Sequence, residues 1–234
     1  MAARKRLLGV DELHMYDIYV PLIEKYYFDT TNSINICIIL YLIKLIKGAF
    51  IMERKLSIKK ITLIGVMAAV VFVASQIQIR IPLGGSETRV HIGNGFCLLC
   101  GLLLGPFTGG LSSGLGSAIF DLTNPVYLPS FPFTFTFKFL MAFICGKIAY
   151  SNGSRAENFK KNLIGSIIGA FTYVILYLSK SYITDIYVKG LPQAGAIAKG
   201  LQRLGASTTN AVVGVIIAVL LAKALQPILK KALR

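Results

Sequence analysis

Residues 91–122 constrain this chain more than any other stretch, because they place many small residues inside apolar sequence. The run reads HIGNGFCLLCGLLLGPFTGGLSSGLGSAIFDL, in which two short apolar segments meet at Gly105-Pro106 and the second ends at Asp121. Glycine, serine and alanine at this density allow helix backbones to approach closely in lipid, where packing drives association. A carboxylate inside such a segment indicates a functional site. The stretch therefore predicts closely packed membrane helices with a functional acid.

Composition extends this prediction to the whole chain. Hydrophobic residues make up 55%, charged residues 15%, and the mean hydropathy is +0.67, which is typical of a polytopic membrane protein. A spanning helix needs about 20 residues, and we predict an all-α bundle of six transmembrane helices near 60–79, 91–105, 108–122, 132–150, 162–182 and 205–225. The second and third are short, so we expect a tightly packed pair joined at Gly105-Pro106, either tilted or re-entrant.

Basic residues predict the orientation of this bundle. They cluster before the first span, between the fourth and fifth, and after the last, and cytoplasmic loops collect lysine and arginine. Both termini are therefore predicted in the cytoplasm, with the loops after spans one, three and five facing outward. The net charge of +15 reflects this topology. No solvated basic domain that could read or stack bases is evident, so we predict no nucleic-acid partner.

The first 51 residues differ in composition from the remainder. Residues 4–24, RKRLLGVDELHMYDIYVPLIE, resemble a fragment of the oligoendopeptidase F family, but the chain has no HExxH zinc motif, so no peptidase activity is implied. We expect Met52 to be the natural start. The predicted domains are 1–51, a non-native upstream extension, and 52–234, the membrane domain. Residues 34–51 could form a seventh span, although Lys44 and Lys47 interrupt it.

Enzyme motifs are missing from the sequence. It contains no nucleophile elbow, HExxH, phosphate-binding loop or paired carboxylates, so we predict neither catalysis nor a cofactor. Any ATP-driven role then requires another subunit. Cys97 and Cys100 have CxxC spacing but no second ligand pair, which favours packing residues over a metal or redox site.

Polar residues at membrane depth are the candidate site. Asp121 and Lys138 could form a structural ion pair or contact a ligand, and Asn210 could either bridge helices or bind the ligand. The segment TNPVYLPSFPFTFTF supplies Tyr127, Phe133 and Phe135, as ligand walls or as an interfacial aromatic belt.

The loop after the first span is a second candidate element. It reads QIQIRIPLGGSETRV, and its paired glycines would let it fold over a pocket as a lid. Arg80 and Arg89 in this loop could instead bind lipid head groups.

Three motifs in the membrane region resemble a known family. They read HIGN at 91–94, GPFTGGLSSGLGSAIFD at 105–121 and TFTFK at 134–138. Together they resemble the S components of energy-coupling-factor (ECF) vitamin transporters, in the hydroxymethylpyrimidine and riboflavin-type group, over about Lys55 to Leu229. Asn94 stands where that pattern usually has an acid, and Phe139 stands where it usually has a glycine. These departures bear on which ligand is bound and not on the family resemblance.

The resemblance implies a substrate-binding subunit that captures a small vitamin or precursor outside a bacterial cytoplasmic membrane. Its expected partners are a transmembrane T subunit, two ATP-hydrolysing A subunits and membrane lipid. The expected ligand contacts are Asn94, Asp121, Tyr127, Phe133, Phe135, Lys138 and Asn210.

The same resemblance implies a docking face of small residues on the first span. The nearest equivalents are Gly65, Ala68 and Ala69, although intramolecular packing explains their spacing equally well. Two other function classes stay open at this point. One is a stand-alone secondary transporter or channel, and the other is a membrane-embedded enzyme or structural assembly factor.

Overall fold

The computed structural model describes residues 57–83, 86–125 and 127–233, and it is built almost entirely from helices. The elements are α1 (Ile58–Gln76), β1 (Gln78–Leu83), β2 (Ser86–His91), α2 (Gly93–Leu104), α3 (Pro106–Leu122), α4 (Phe131–Ala149), α5 (Phe159–Ile183) and α6 (Gln193–Leu233). The predicted all-α membrane architecture is confirmed, with a helix at each of the six predicted positions. The proposed extension 1–51 and the paired glycines at 84 and 85 lie outside the described residues.

Only four of these helices are long and apolar enough to cross a membrane. They are α1, α4 with its preceding turn, α5 with the π-helical turn Thr184–Val188, and α6. Helix α2 has 12 residues and α3 has 17, fewer than the roughly 20 that a full crossing requires. Among the described residues, the helix lengths therefore support four full membrane crossings and not the six predicted spans.

The α2–α3 pair is closely packed, as its small residues predicted. Gly105 ends α2 with φ of 82°, a conformation that favours glycine, and Pro106 occupies the first turn of α3, where a missing N–H costs nothing. A Cβ on Gly109 would lie 2.6 Å from the carbonyl carbon of Cys100. No side chain fits between the two backbones there, so the glycine is needed for this approach.

Helix α2 is the centre of the bundle. Leu98, Leu99 and Leu102 are at most 1% exposed, and the helix is apolar around its whole circumference, as a fully enclosed helix should be. It contacts α4 where Gly101 meets the carbonyl oxygen of Ala142. The outer faces of the long helices instead expose large apolar side chains, such as Val73, Phe171, Val212 and Leu220. Such a surface suits a lipid environment.

The loop after α1 is an antiparallel hairpin in which Gln78 pairs with His91 and Arg80 with Arg89. It lies at the end of the bundle where α1, α3 and α5 finish. At the opposite end, Tyr150 donates to the carbonyl oxygen of Leu103 and Gln226 to that of Arg155. That opposite end carries the basic residues Lys59, Lys60, Lys147, Arg155, Lys160, Lys161 and Lys223.

Candidate functional site

A cavity of about 100 Å³ opens at the hairpin end of the bundle. Strand β2, the end of α3, the start of α4, the second half of α5 and α6 all contribute to it. Its lining residues are Arg89, His91, Asp121, Tyr127, Ser130, Phe133, Thr134, Phe137, Tyr173, Tyr177, Lys180, Ser207 and Asn210. Aromatic walls with a few convergent polar groups are the usual composition of a small-molecule site.

Asp121 forms the polar centre of this cavity. Its side chain is 1% exposed, and Arg89 Nη2 lies 3.2 Å from its Oδ1 atom. Thr134 donates a hydrogen bond to its other oxygen, Oδ2. A direct Asp121–Lys138 ion pair, one of the two alternatives that the sequence left open, is not formed. Asp121 pairs with an arginine from the hairpin, which the sequence left unpaired because 32 residues separate the two.

Arg89 is held in place on several sides. Its guanidinium carbon lies 3.9 Å from the centroid of the Tyr127 ring and 4.7 Å from that of Phe120, which are favourable cation–π distances. One terminal nitrogen bonds Asp121, while the other, Nη1, is buried without a protein partner. This arginine lines the cavity rather than lying among lipid head groups as the sequence allowed.

Lys138 and Asn94 lie together beneath the cavity. Both are buried, and the ammonium group donates to Asn94 Oδ1 while lying 3.7 Å from the centroid of the Tyr173 ring. Lys138 borders a second hollow of about 10 Å³, which shares Asp121 and Arg89 with the cavity above it. The two predicted contacts are thus brought together one layer below the lining residues.

Asn210 uses both ends of its amide to hold the hairpin. Its Nδ2 donates to the backbone oxygen of Arg89 at 2.8 Å, and its Oδ1 accepts from the backbone N–H of His91, also at 2.8 Å. The sequence left a choice between a bridge among helices and a ligand contact. The structure shows a bridge from α6 to a strand, which positions two cavity-lining residues.

The aromatic residues of the predicted loop divide between two surfaces. Tyr127 and Phe133 line the cavity, whereas Phe135 does not. Phe135 stacks on Phe139 at a centroid distance of 6.3 Å and packs against Gly114. Helix α4 begins at Phe131, and residues two apart in a helix face opposite directions. The prediction that both phenylalanines form ligand walls treated this segment as a loop and is wrong for Phe135.

Sequence reasoning missed several lining residues, among them Phe137, Tyr173, Tyr177 and Lys180. Three of them lie on α5 at the spacing i, i+4 and i+7, which places them on one helix face. That spacing inside an apolar span was the available signal. Lys180 donates to Ser130 Oγ at 2.9 Å and lies 5.3 Å from the Phe133 ring centroid.

His91 ends the hairpin and faces the cavity with an unpartnered nitrogen. Burial lowers the pKa of His91 well below 6.5, and the positive charges of Lys138 and Arg89 lower it further. Its Nδ1 atom is buried without a protein partner. The imidazole is therefore neutral at physiological pH and can hydrogen-bond a ligand.

The predicted docking residues on α1 lie on two different faces of the helix, one exposed and one buried. Gly65 and Ala69 are exposed, and a Cβ built on Gly65 meets nothing within 4 Å. Ala68 is 6% exposed, and its backbone oxygen contacts Gly116 of α3. Ala68 therefore packs inside the bundle and is removed from the docking prediction, because it lies on the inner face of α1.

Comparison with known proteins adds to this geometry. The sequence profile of the family described as "ECF-type riboflavin transporter, S component" matches residues 55–227. The chain belongs to this family. The resemblance inferred from the three motifs is confirmed, and the family is one of transport subunits that reside in membranes rather than of enzymes. The match includes every element that lines the cavity of this S component.

One curated protein is similar to part of this chain. It comes from Pyrococcus woesei and is described as "Uncharacterized protein in gap 3'region". It is 29% identical over 152 residues, which is 65% of this chain and 95% of the relative. Its description assigns no ligand.

Proposed function

We propose that this S component is the substrate-binding subunit of an ATP-driven ECF transporter that imports a small planar vitamin or vitamin precursor. The observation that carries the proposal is the cavity at one end of the bundle, where aromatic rings surround a buried acid and several hydrogen-bond donors. Within the described residues, Tyr127, Phe133 and Tyr173 offer flat apolar surfaces that suit a planar ring.

The cavity faces outward in this proposal. Basic residues collect at the opposite end of the bundle, where α1 and α5 begin, and positive charge favours the cytoplasmic side. Both termini of the membrane domain would then lie in the cytoplasm, and the site would meet nutrients arriving from outside.

Compounds that share the planar aromatic ring system of riboflavin are the first candidate ligands, because the family description names riboflavin. The free volume of about 100 Å³ is smaller than the roughly 300 Å³ at which ligand pockets begin. Binding would therefore require the walls to move apart. The β1–β2 hairpin is the candidate for this movement, and the contacts that would have to give are those of Asn210 with its backbone and of Arg89 with Asp121.

Energy would come from partner subunits, since the sequence has no phosphate-binding loop. A transmembrane T subunit and two ATP-hydrolysing A subunits are the partners that the family implies. Gly65 and Ala69 on the exposed face of α1 would allow the T subunit to pack closely.

Uptake of labelled vitamins tests the proposal directly. Cells that make this protein with T and A subunits should accumulate the substrate, and cells that make it alone should bind the substrate without accumulating it. The ligand that copurifies with the protein, identified by mass, should be the same compound. Full accumulation without partners would instead indicate a stand-alone transporter.

A further inference from the structure

We propose that the substrate of this S component is anionic, a planar aromatic compound that carries a phosphate or carboxylate group. This inference rests on the function proposed above and names the substrate class of that same cavity. It follows from the charges around the cavity, from the hydrogen-bond donors left without partners, and from a buried ammonium group whose direct partners are uncharged.

The charges around the cavity are unequal. Arg89 and Lys180 line it, and Lys138 lies beneath its floor, whereas Asp121 is the one acid among the described lining residues. Three cations against one carboxylate leave an excess of positive charge inside a membrane bundle. Uncompensated charge in such a place is unfavourable, and an anionic ligand would offset it.

Unused hydrogen-bonding capacity around the cavity also favours an anion. Both oxygens of Asp121 already accept bonds, from Arg89 and from Thr134. By contrast, Nη1 of Arg89 is buried without a protein partner. Lys180 donates one bond to Ser130 although an ammonium group has three donors. The charged groups of the cavity therefore offer unused donors, whereas its carboxylate is already bonded, which suits the oxygens of a phosphate or carboxylate.

Lys138 adds an independent argument. Its side chain is 3% exposed, and its recorded partners are the amide oxygen of Asn94 and the ring face of Tyr173. Neither partner carries a formal negative charge. A buried cation is retained at such a place when something compensates it. Asp121 lines the same hollow but is already paired with Arg89. A negative ligand in the layer above would add compensation for Lys138, and a neutral ligand would not.

Matched pairs of ligands test the charge preference. The full-length protein in lipid nanodiscs would be titrated with riboflavin and riboflavin 5′-phosphate, pyridoxal and pyridoxal 5′-phosphate, and nicotinamide and nicotinate. In the pair that binds, we expect the anionic member to bind at least about tenfold more tightly, equivalent to about 1.4 kcal/mol. Equal or tighter binding of the neutral member overturns the inference and leaves the proposed function standing. Failure of every compound to bind, with no partner-dependent uptake, overturns both.

Variants of Lys180 test whether the preference for an anionic ligand arises at the cavity wall. Lys180→Gln removes one positive charge from the wall, and we expect the ratio of the two dissociation constants to fall toward one. Lys180→Arg keeps the charge and should keep the ratio. Lys160→Gln is the matched control, because it removes the same charge from an exposed residue at the other end of the bundle. An unchanged ratio in Lys180→Gln overturns the assignment to this wall.

Discussion

Asn210 shows how one side chain can serve a ligand without contacting it. Its amide pairs with the backbone of Arg89 and His91, so it sets the position of two residues that line the cavity. An amide is the neutral side chain that can both donate and accept in this way. A carboxylate or a hydroxyl could not replace it with the same geometry.

Replacement of Asn210 by leucine should therefore weaken substrate binding. It would leave a buried N–H and a buried carbonyl unpaired, and each unsatisfied group costs about 1–3 kcal/mol. We expect affinity to fall at least about tenfold, measured by titration of the purified protein. Thr209→Val is the control, because Thr209 is exposed and its hydroxyl bonds its own helix at Gly205. Wild-type affinity in Asn210→Leu would contradict this role.

His91 should make the protein sensitive to acid. Its pKa in the folded protein lies well below 6.5, so the folded state binds fewer protons than the unfolded state, and stability is lost as the pH falls below the unfolded value of about 6.5. We expect the melting temperature in detergent to drop between pH 7.5 and 5.5, and to drop less in His91→Gln. Parallel drops in the two proteins would remove His91 from this effect.

Some of the elements that carry the site could be predicted from the sequence, and others could not. Apolar runs located all six helices, and the small residues predicted the close α2–α3 pair. The hairpin was missed because its two strands mix charged and apolar residues without a clear alternation. Helix α6 begins at Gln193 rather than near residue 205, because its first turns contain polar residues, so hydropathy does not reveal a helix there.

Contacts between side chains that are distant in the sequence could not be predicted, for a different reason. The partner of Asp121 comes from a strand that the sequence showed only as a loop, and α5 contributed an aromatic face inside an ordinary apolar span. Side-chain direction on α4 depended on where that helix starts. A start at Phe131 sends Phe133 to the cavity and Phe135 to the contact with α3.

Two alanine variants on α4 test this difference in direction. Phe133→Ala should weaken ligand binding about three- to tenfold, because an aromatic contact contributes about 0.5–1.5 kcal/mol, and it should leave the melting temperature nearly unchanged. Phe135→Ala should lower the melting temperature and keep the affinity, because it empties a packed contact with Phe139 and Gly114. The reverse pattern would show that the two rings exchange roles.

At the scale of the whole molecule, the bundle presents a cavity at one end and an apolar surface around its sides. Gly65 and Ala69 interrupt that surface with a shallow exposed strip on α1. A strip of small residues allows another helix to come close in lipid. Binding and transport should therefore be separable by mutation.

Gly65→Leu should abolish partner-dependent uptake and leave substrate affinity unchanged. The new side chain would enter open space in the isolated S component and would keep a T subunit at a distance. Uptake in cells with T and A subunits, together with ligand titration of the purified variant, measures both effects. Val66→Leu is the control, because Val66 is already 55% exposed and bulky. Normal uptake by Gly65→Leu would show that docking occurs elsewhere.

The shortness of α2 has a consequence for how a solute reaches the site. Twelve residues of helix cover about 18 Å, against a hydrocarbon thickness of about 30 Å. About 12 Å of the hydrocarbon thickness therefore lies beyond the ends of α2. At one end, the hairpin and the cavity occupy this space. A solute would thus enter a recess sunk into the bilayer and begin to lose its hydration layer there, before the walls move apart to admit it.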